Sequence, residues 1–325
     1  MSPGCTCACH EEKLGKAVSH SRVEAYLQCQ RKEFYSYGRK LRARTPGLAL
    51  NLGTNLHAAL EVLYSTVLAA GANKTAQRAA YPAAVDAMWE FVDGLYSAGW
   101  DDDDRRASVR EILENYLKRE PFIDREWADD KTPYQILAVE REFNFEYDPE
   151  NGGSYPFVVD LIVFDPQGRM VIVDHKGLYD FYSTDDVMLK PQIPKYIASL
   201  RALGYKVHRG MYNMLRTRPA PKKSVRKAWE WTDSLDVDAT PTRVERTMTE
   251  QVIIANHLED LDRLSPEDRE QLAVRSAAGT DTCKRMCDFR DLCVAELRGD
   301  QTSLLLKTQY ETKPKRAHIE VSDEI

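Results

Sequence analysis

The sequence predicts an α/β protein with a central mixed β-sheet flanked by helices, and three patterns along its 325 residues support this. Apolar residues recur at helical spacing through the first part of the chain, which predicts helices near 21–36, 52–70, 76–97 and 103–120. Strand-like runs rich in β-branched residues follow, and mixed elements come after them. A hydrophobic content of 43% is enough to bury a substantial core.

The segment from Tyr155 to Lys176 predicts a β-hairpin. Asp-Pro-Gln-Gly at 165–168 is typical of a tight turn, and the flanking sequences VVDLIVF and MVIVD are rich in β-branched residues. If the loop is centred on Gln167, residues whose numbers sum to 334 face each other. The hairpin therefore predicts which side chains of its two strands meet.

Two aspartates and a lysine of this hairpin are expected to share one patch. The register places Asp160 opposite Asp174, with Cβ atoms about 5 Å apart. Strand alternation points Lys176 to the same face as Asp174 and the His175 side chain to the other. Two carboxylates this close require a cation, and a hard divalent ion such as Mg²⁺ or Mn²⁺ takes oxygen ligands. The pattern indicates metal-dependent phosphodiester hydrolysis, in which Lys176 orients the water or stabilises phosphoryl charge. A hairpin with solvent-facing aspartates is the alternative.

These residues resemble the PD-(D/E)XK nuclease superfamily, in particular its RecB-like branch with AddB-type and CRISPR-associated iron-sulfur exonucleases. Four further segments are similar to that branch and occur in its order, over residues 19 to 298. They are SHSRVEAYLQC, which ends at Cys29, GTNLHAALE with His57, QIPKY with Gln192 and Tyr196, and CKRMCDFRDLC with Cys283, Cys287 and Cys293. The resemblance implies a restriction-endonuclease-like core, a helical N-terminal part and an iron-sulfur cluster that joins the ends of the domain.

The resemblance also implies roles for individual residues. The expected metal ligands are His57, Asp160, Asp174 and the backbone carbonyl of His175. Gln192 and Tyr196, one helical turn apart in a helix that starts near Pro191, are expected to position DNA. Phe157 stands where the family often has glycine, and Asp-His-Lys-Gly replaces the commoner aspartate-aromatic-lysine-threonine. These departures concern the fine geometry rather than the ligands.

Two glutamates near these motifs have weaker signals. Glu61 lies four residues after His57 in an apolar-periodic stretch, so both share one helix face, and Glu61 is at most a partner of the histidine. Glu140 lies in the alternating run ILAVEREFNFEY, which predicts a strand beside the hairpin. An accessory acid and an exposed strand glutamate remain equally open for Glu140.

The cysteines indicate a second metal site. No signal peptide or long apolar run is visible, so we expect a cytoplasmic protein, no membrane association and no disulfides. The spacing from Cys283 through Cys287 to Cys293 lacks the paired CxxC of a zinc ribbon, and this trio needs a fourth ligand. The resemblance supplies Cys29, which gives a structural [4Fe-4S] cluster closing a loop of roughly 250 residues. A four-cysteine zinc site and free cysteines remain alternatives. We expect Cys5, Cys7 and Cys9 to be unrelated to the cluster.

Because the expected cluster ligands lie near both ends, we predict a single domain over residues 19–298. Residues 1–18 are expected to form a disordered tail, and residues 299–325 a polar C-terminal tail. The net charge of −6 is not typical of a nucleic-acid-binding protein. The stretch from Lys206 to Lys227, however, contains eight Lys and Arg residues and no acid, and RKLRAR at 39–44 adds a second basic run. Together these runs predict a track for a DNA backbone.

The sequence thus predicts a metal-dependent DNA exonuclease. The resemblance implies action on single-stranded or frayed ends in recombination, repair or CRISPR adaptation, with proteins of those systems as possible partners. Two alternatives stay open: a catalytically silent subunit that binds DNA ends, and a structure-specific endonuclease with the same metal chemistry. Cleavage polarity, preference for DNA over RNA and oligomeric state are not predicted.

Overall fold

The computed structural model describes residues 17–45, 48–102, 106–128, 130–148, 153–220, 227, 230–276, 283 and 287–313. Its helices are α1 (His20–Gln28), α2 (Gln30–Glu33), α3 (Leu48–Ala69), α4 (Lys74–Ser97), α5 (Val109–Leu117), α6 (Thr184–Leu189), α7 (Gln192–Ala202), α8 (Pro241–Asp262), α9 (Pro266–Leu272), α10 (Arg290–Arg298) and α11 (Ser303–Gln309). A π-helical turn, Phe34–Gly38, follows α2 directly. Among the described residues no helix combines the length and apolar character that crossing a bilayer requires.

The strands are β1 (Leu41–Ala43), β2 (Gln135–Asp148), β3 (Gly153–Phe164), β4 (Met170–Leu178), β5 (Val207–Arg216), β6 (Thr232–Val237) and β7 (Tyr310–Thr312). Strands β2 to β6 form a central five-stranded sheet in sequence order, while β1 and β7 pair separately. The central sheet is mixed, because β4 and β5 run parallel and the other neighbours run antiparallel. The predicted α/β architecture with a central mixed sheet flanked by helices is confirmed.

Each face of the sheet is covered by its own hydrophobic core. On one face α3, α4 and α5 pack against the sheet, where Leu161, Val163, Val171 and Val173 are buried. On the other face α7 packs with Ile193 and Ile197 against Ile162 and Ile172. This alternation of adjacent strand residues between two buried faces explains why the hairpin strands read as nearly continuous apolar runs.

The hairpin register agrees with the prediction in every ladder pair between β3 and β4. Leu161 faces Val173 and Phe164 faces Met170, so the facing numbers sum to 334. The turn is fixed by Asp165, whose side chain accepts hydrogen bonds from the backbone N–H groups of Gln167 and Arg169 at 3.0 and 2.9 Å. The recorded ladder ends at Leu161 and Val173, one position before the two aspartates would meet.

The element boundaries differ from the predictions in two regions. The helix expected over 21–36 is interrupted at Cys29, whose extended backbone (φ −168°, ψ 114°) separates α1 from α2. The helix expected over 103–120 covers only Val109–Leu117, because Ser108 caps it by accepting a hydrogen bond from the Glu111 N–H. Both differences reflect local backbone features that an apolar period does not encode.

The structure describes parts of both predicted tails. Residues 17 and 18 belong to the folded part, since Ala17 forms a β-bridge with Ser154 and Val18 is fully buried. At the other end, the expected polar tail contains α11 and β7, and β7 pairs with β1 in an antiparallel register that places Tyr310 opposite Ala43. Tyr310 is 3% exposed and packs on Phe289, which explains why this charged segment is ordered. Residues 1–16 and 314–325 lie outside the described residues.

Candidate metal centre

The centre lies where β2 and β3 both change the face they present to the two cores. Val139 pairs with Leu161 and Arg141 with Val159, so Glu140 and Asp160 occupy facing positions between these pairs. Val159 packs in the core under α7, whereas Leu161 packs in the core under α3, so the alternation is broken at Asp160. Glu140 has a left-handed backbone with φ 46°. A non-glycine residue in this region costs on the order of 1–3 kcal/mol, a cost that is often found at functional sites.

This irregularity brings three potential metal ligands together. One ligand atom each of His57, Glu140 and Asp160 lies within 4.8 Å of the others. His57 reaches the site from α3, and its Nδ1 lies 3.5 Å from Asp160 Oδ2. The sequence left the role of Glu140 open between an accessory acid and an exposed residue; the structure places one of its carboxylate oxygens within 4.8 Å of ligand atoms of His57 and Asp160, and Asp174 is not a member of this group.

Asp174 and Lys176 form the second half of the centre. Lys176 Nζ lies 2.7 Å from Asp174 Oδ2, and the Asp174 side chain is only 5% exposed. Gln192 Nε2, at the start of α7, donates to Asp174 Oδ1 at 2.8 Å and to the Tyr196 hydroxyl at 3.2 Å. Pro191 directly precedes this helix, as its sequence predicted. The QIPKY segment is therefore connected to the carboxylates by hydrogen bonds.

The carboxylates repel one another strongly enough to change their protonation. Burial, and then the charge of Asp174, raise the pKa of Asp160 well above its usual range. Burial, together with the charges of Glu61 and Asp174, raises the pKa of Glu140 to about 7. Burial disfavours the charged form of Lys176, but Asp174 and Asp160 outweigh it and raise the pKa of this lysine. The site thus holds more negative charge than one lysine compensates, which is the condition a divalent cation relieves.

Because the carboxylates are crowded, we expect the stability of the metal-free protein to depend on pH. We expect this dependence to be smaller in Glu140→Gln. The pKa of Glu140 rises from 4.5 to about 7 on folding, so its contribution to stability is full at low pH and is lost as pH rises through about 7. We expect the Tm of the metal-free wild type to fall between about pH 5.5 and pH 8. In Glu140→Gln the Tm should fall less over this pH range, and the fall that remains should come from Asp160. Thermal unfolding followed by circular dichroism measures both slopes.

Glu142→Gln is the matched control, because Glu142 is an exposed residue of the same strand. Its slope should equal that of the wild type. Equal slopes in Glu140→Gln and wild type would contradict the shared burial and repulsion of the carboxylates.

The His175 side chain points away from the carboxylates, as strand alternation predicts. Its ring is 2% exposed and stacks on Tyr64 with a centroid distance of 5.7 Å and an interplanar angle of 3°. Burial, followed by the charges of His57 and Lys176, lowers the pKa of His175 far below its usual value, so the imidazole is neutral. Its backbone instead faces the site: the N–H donates to Asp160 Oδ2 at 2.7 Å, and the backbone also hydrogen-bonds to His57.

The four cysteines named by the sequence lie at a separate place, where the N-terminal helices meet the C-terminal segment. Cys29, Cys283, Cys287 and Cys293 are half-buried and free of disulfides. Burial raises the pKa of the Cys287 thiol, and Cys287 and Cys293 both pack against the buried cluster that contains Phe34, Tyr35 and Phe289. Arg275 Nε donates to Cys293 Sγ at 3.0 Å. Cys5, Cys7 and Cys9 lie outside the described residues.

The two basic runs are less free than their sequences suggest. Arg42 on β1 and Arg44 just after it both pair with Glu311. In the second run Arg209 pairs with Asp236, while Arg216 and Arg218 share Asp180 at 3.2 and 3.3 Å. Residues 221–226 of that run lie outside the described residues. Among the side chains described, five arginines of the two runs form ion pairs, and these five share three carboxylates.

Comparison with known proteins gives a family match over most of the chain. A sequence model described as the PD-(D/E)XK nuclease superfamily matches residues 17–294. The solved structure described as "Crystal structure of SSO0001" is similar at 14% sequence identity, covering 74% of this chain and 84% of that chain, with a TM-score of 0.30. This TM-score is too low to support an inference. No curated protein matches the sequence significantly.

Proposed function

The chain belongs to the PD-(D/E)XK nuclease superfamily, and from this premise we propose that it is a metal-dependent DNA exonuclease. The observation that supports the proposal most directly is the shared site of His57, Glu140 and Asp160 beside the pair of Asp174 and Lys176. Its substrate is DNA with single-stranded or frayed ends, and its role is in recombination, repair or CRISPR adaptation. These finer features follow from the resemblance of the Cys29, His57 and QIPKY segments to the RecB-like branch.

The donor atoms present fit a hard divalent cation. Carboxylate oxygens suit Mg²⁺ and Mn²⁺, and the raised pKa values of Asp160 and Glu140 indicate uncompensated negative charge where the ion would bind. Asp160, Asp174 and His57 hold the ion with the backbone carbonyl of His175, and Glu140 is a further ligand. When bound, Mg²⁺ or Mn²⁺ polarises the phosphate and acidifies water.

The remaining side chains of the centre act on the substrate. Lys176 stays charged, because its pKa is raised by two carboxylates, so its ammonium stabilises the charge that develops on the phosphoryl oxygens. Gln192 is anchored on Asp174 and Tyr196, which aligns this amide at the open side of the carboxylates. Both hydrogens of the Gln192 amide are used in these two bonds, so Gln192 positions the DNA strand through Tyr196, whose own hydroxyl hydrogen remains to be donated to a phosphate.

We propose that Cys29, Cys283, Cys287 and Cys293 hold a [4Fe-4S] cluster with a structural role. Their chemistry fits, since all four are free thiols, and Cys287 is close enough to Cys29 and Cys283 to sense their charge. Arg275 Nε donates to Cys293 Sγ at 3.0 Å, and burial raises the pKa of the Cys287 thiol, so binding of iron would displace the proton of that thiol.

The function is tested on protein purified under anaerobic conditions and assayed for iron and sulfide. With Mn²⁺, end-labelled linear single-stranded DNA should be degraded and circular single-stranded DNA of the same sequence should remain intact. Cleavage of the circle would replace the exonuclease by an endonuclease. Binding of linear DNA without degradation under any metal would indicate the silent end-binding subunit. A parallel assay with linear RNA decides the preference between the two nucleic acids.

A further inference from the structure

A buried chain of hydrogen bonds leads from the strand that carries Asp174 to an acid deep in the core. Asn213 on β5 contacts His175 Nδ1 through its Nδ2 at 2.9 Å and donates from the same nitrogen to the Tyr116 hydroxyl at 3.0 Å. The hydroxyls of Tyr116 and Tyr64 lie 2.5 Å apart, and Tyr64 donates to Glu120 Oε1 at 2.7 Å. All of these residues are at most 2% exposed. None of them was identified from the sequence except His175.

The chain has a single direction, set by its last member. Backbone N–H groups donate to both Glu120 oxygens: Phe122 to Oε1 at 2.9 Å, and Ile123 and Asp124 to Oε2 at 2.6 and 2.9 Å. The carboxylate is therefore an acceptor, so Tyr64 donates to it and Tyr116 donates to Tyr64.

Asn213 then has no choice of partner for its two amide hydrogens. One goes to the oxygen of Tyr116, whose own hydrogen is already used, and the other goes to His175 Nδ1. The Asn213 Oδ1 faces the Ser234 hydroxyl at 3.4 Å, which agrees with this orientation of the amide. With Nδ1 of His175 as the acceptor in this arrangement, the ring hydrogen lies on Nε2, a buried atom for which no hydrogen-bond partner is recorded among the described residues.

The ring and the backbone of His175 have different partners. The ring is held between the stacked Tyr64 and the Asn213 amide. The backbone N–H of the same residue donates to Asp160 Oδ2 at 2.7 Å, and its backbone hydrogen-bonds to His57. The ring of His57 also meets the His175 ring edge-on at 6.2 Å. Fixing the imidazole therefore fixes the backbone segment on which both proposed ligands rest.

We propose that Asn213 is a positioning residue of the metal centre, which holds His175 in the Nε2–H tautomer and thereby sets the geometry of Asp160 and His57. This inference rests on the proposed function for the identity of the metal. Outer partners that orient metal ligands contribute about 10- to 100-fold to metal affinity, so an effect of this size is expected on removing the Asn213 donor.

The deciding variant is Asn213→Asp, which keeps the side-chain volume and replaces a donor by an acceptor. The aspartate cannot donate to Nδ1, so the hydrogen of His175 moves to Nδ1, where it is donated to the new carboxylate. In metal-free protein labelled with ¹⁵N-histidine, the ring ¹⁵N shifts should report Nε2–H for wild type and Nδ1–H for the variant. The signals are assigned with His175→Gln.

Titration with Mn²⁺ alone, followed by calorimetry, gives the second readout. We expect at least about 10-fold weaker binding in Asn213→Asp. Tyr116→Phe, which keeps the ring and removes one link, should weaken binding to a smaller degree and serves if the aspartate variant does not fold. The control is Gln77→Leu: Gln77 is a 1% exposed amide that bonds only to the backbone of Gly71 and Ile136 in its recorded contacts. It should lower Tm without changing Mn²⁺ affinity.

Wild-type Mn²⁺ affinity in Asn213→Asp, or an unchanged His175 tautomer in that variant, would overturn the positioning role. The positioning role would also be overturned if Gln77→Leu lost as much Mn²⁺ affinity as Asn213→Asp. A general loss of stability would then be enough to explain the weaker binding. Failure of the proposed function can be distinguished from failure of the Asn213 proposal. In the first case the wild-type protein itself does not degrade DNA or does not bind Mn²⁺. In that case the tautomer measurement still decides whether Asn213 controls His175.

Discussion

Asp160→Asn is expected to abolish DNA degradation and to leave the metal-free protein at least as stable as the wild type. The pKa of Asp160 is raised well above its usual range by burial and by Asp174, so its charge opposes folding when no cation is present. Asparagine removes that charge, and its side-chain oxygen can still accept the His175 N–H. Activity should fall by about 1,000-fold or more, because a bound metal supplies several kcal/mol of transition-state stabilisation. Initial rates on linear DNA and the Tm in a chelator measure the two effects.

Asp165→Ala is the matched control, and it should give the opposite result. This aspartate of the same hairpin is fully buried and accepts hydrogen bonds from two backbone N–H groups and from Arg169 Nε at 2.8 Å. Although its burial acts to raise the pKa, these donors hold it below the usual value, so its charge favours folding. Its loss should lower Tm and leave the rate per folded molecule unchanged. Retained activity in Asp160→Asn would refute the proposed centre.

Cys29→Ser is expected to release the proposed cluster and to lower thermal stability strongly. Linking Cys29 to the cysteines near the C-terminal end closes a loop of roughly 250 residues, and loop-closure entropy gives such a link on the order of 5 kcal/mol. At about 2.1 cal/mol/K of unfolding entropy per residue, that corresponds to a Tm loss of roughly 7 °C for a chain of 325 residues. Iron and sulfide content, measured together with Tm on anaerobically purified protein, tests both consequences.

The control for Cys29 is the combined replacement of Cys5, Cys7 and Cys9 by serine, which should change neither iron content nor Tm. Cys287→Ser should reproduce Cys29→Ser, since both thiols belong to the same proposed site. Full iron content in either single variant would exclude the proposed ligand set. Zinc in place of iron in the wild type would convert the site to the alternative that the cysteine spacing left open.

The features that followed from sequence are those set by local chemistry. Turn residues at 165–168 and a period of two fixed the β3–β4 register, so the common face of Asp174 and Lys176 could be derived from neighbouring residues alone. Pro191 likewise marked the start of α7 and placed Gln192 at its first position. In both cases the interactions that decide the structure lie within a few residues.

The features that were missed or left open depend on contacts between distant segments. Glu140 reaches the centre through the pairing of β2 with β3 and through a left-handed backbone that glutamate rarely adopts, so its alternating sequence left it open between an accessory acid and an exposed residue. The hydrogen-bond chain behind His175 draws Tyr64, Tyr116 and Asn213 from three separate elements. The sequence signal that could have indicated this hydrogen-bond chain is a polar residue within an apolar run, as Asn213 is in GMYNML. A buried amide in a central strand needs partners, which makes such a residue worth examining.

The pairing of β1 with β7 has a consequence for how the protein is made on the ribosome. Residues 41–43 can find their partner strand only after residues 310–312 have been synthesised. At about 5–20 residues per second this interval is roughly 15 to 55 s. During that time the nascent N-terminal segment presents unpaired strand edges, so we expect chaperones that recognise such edges to bind it. The thiol of Cys29 also lacks its proposed partners, so we expect iron to be delivered to the proposed cluster after the finished chain is released.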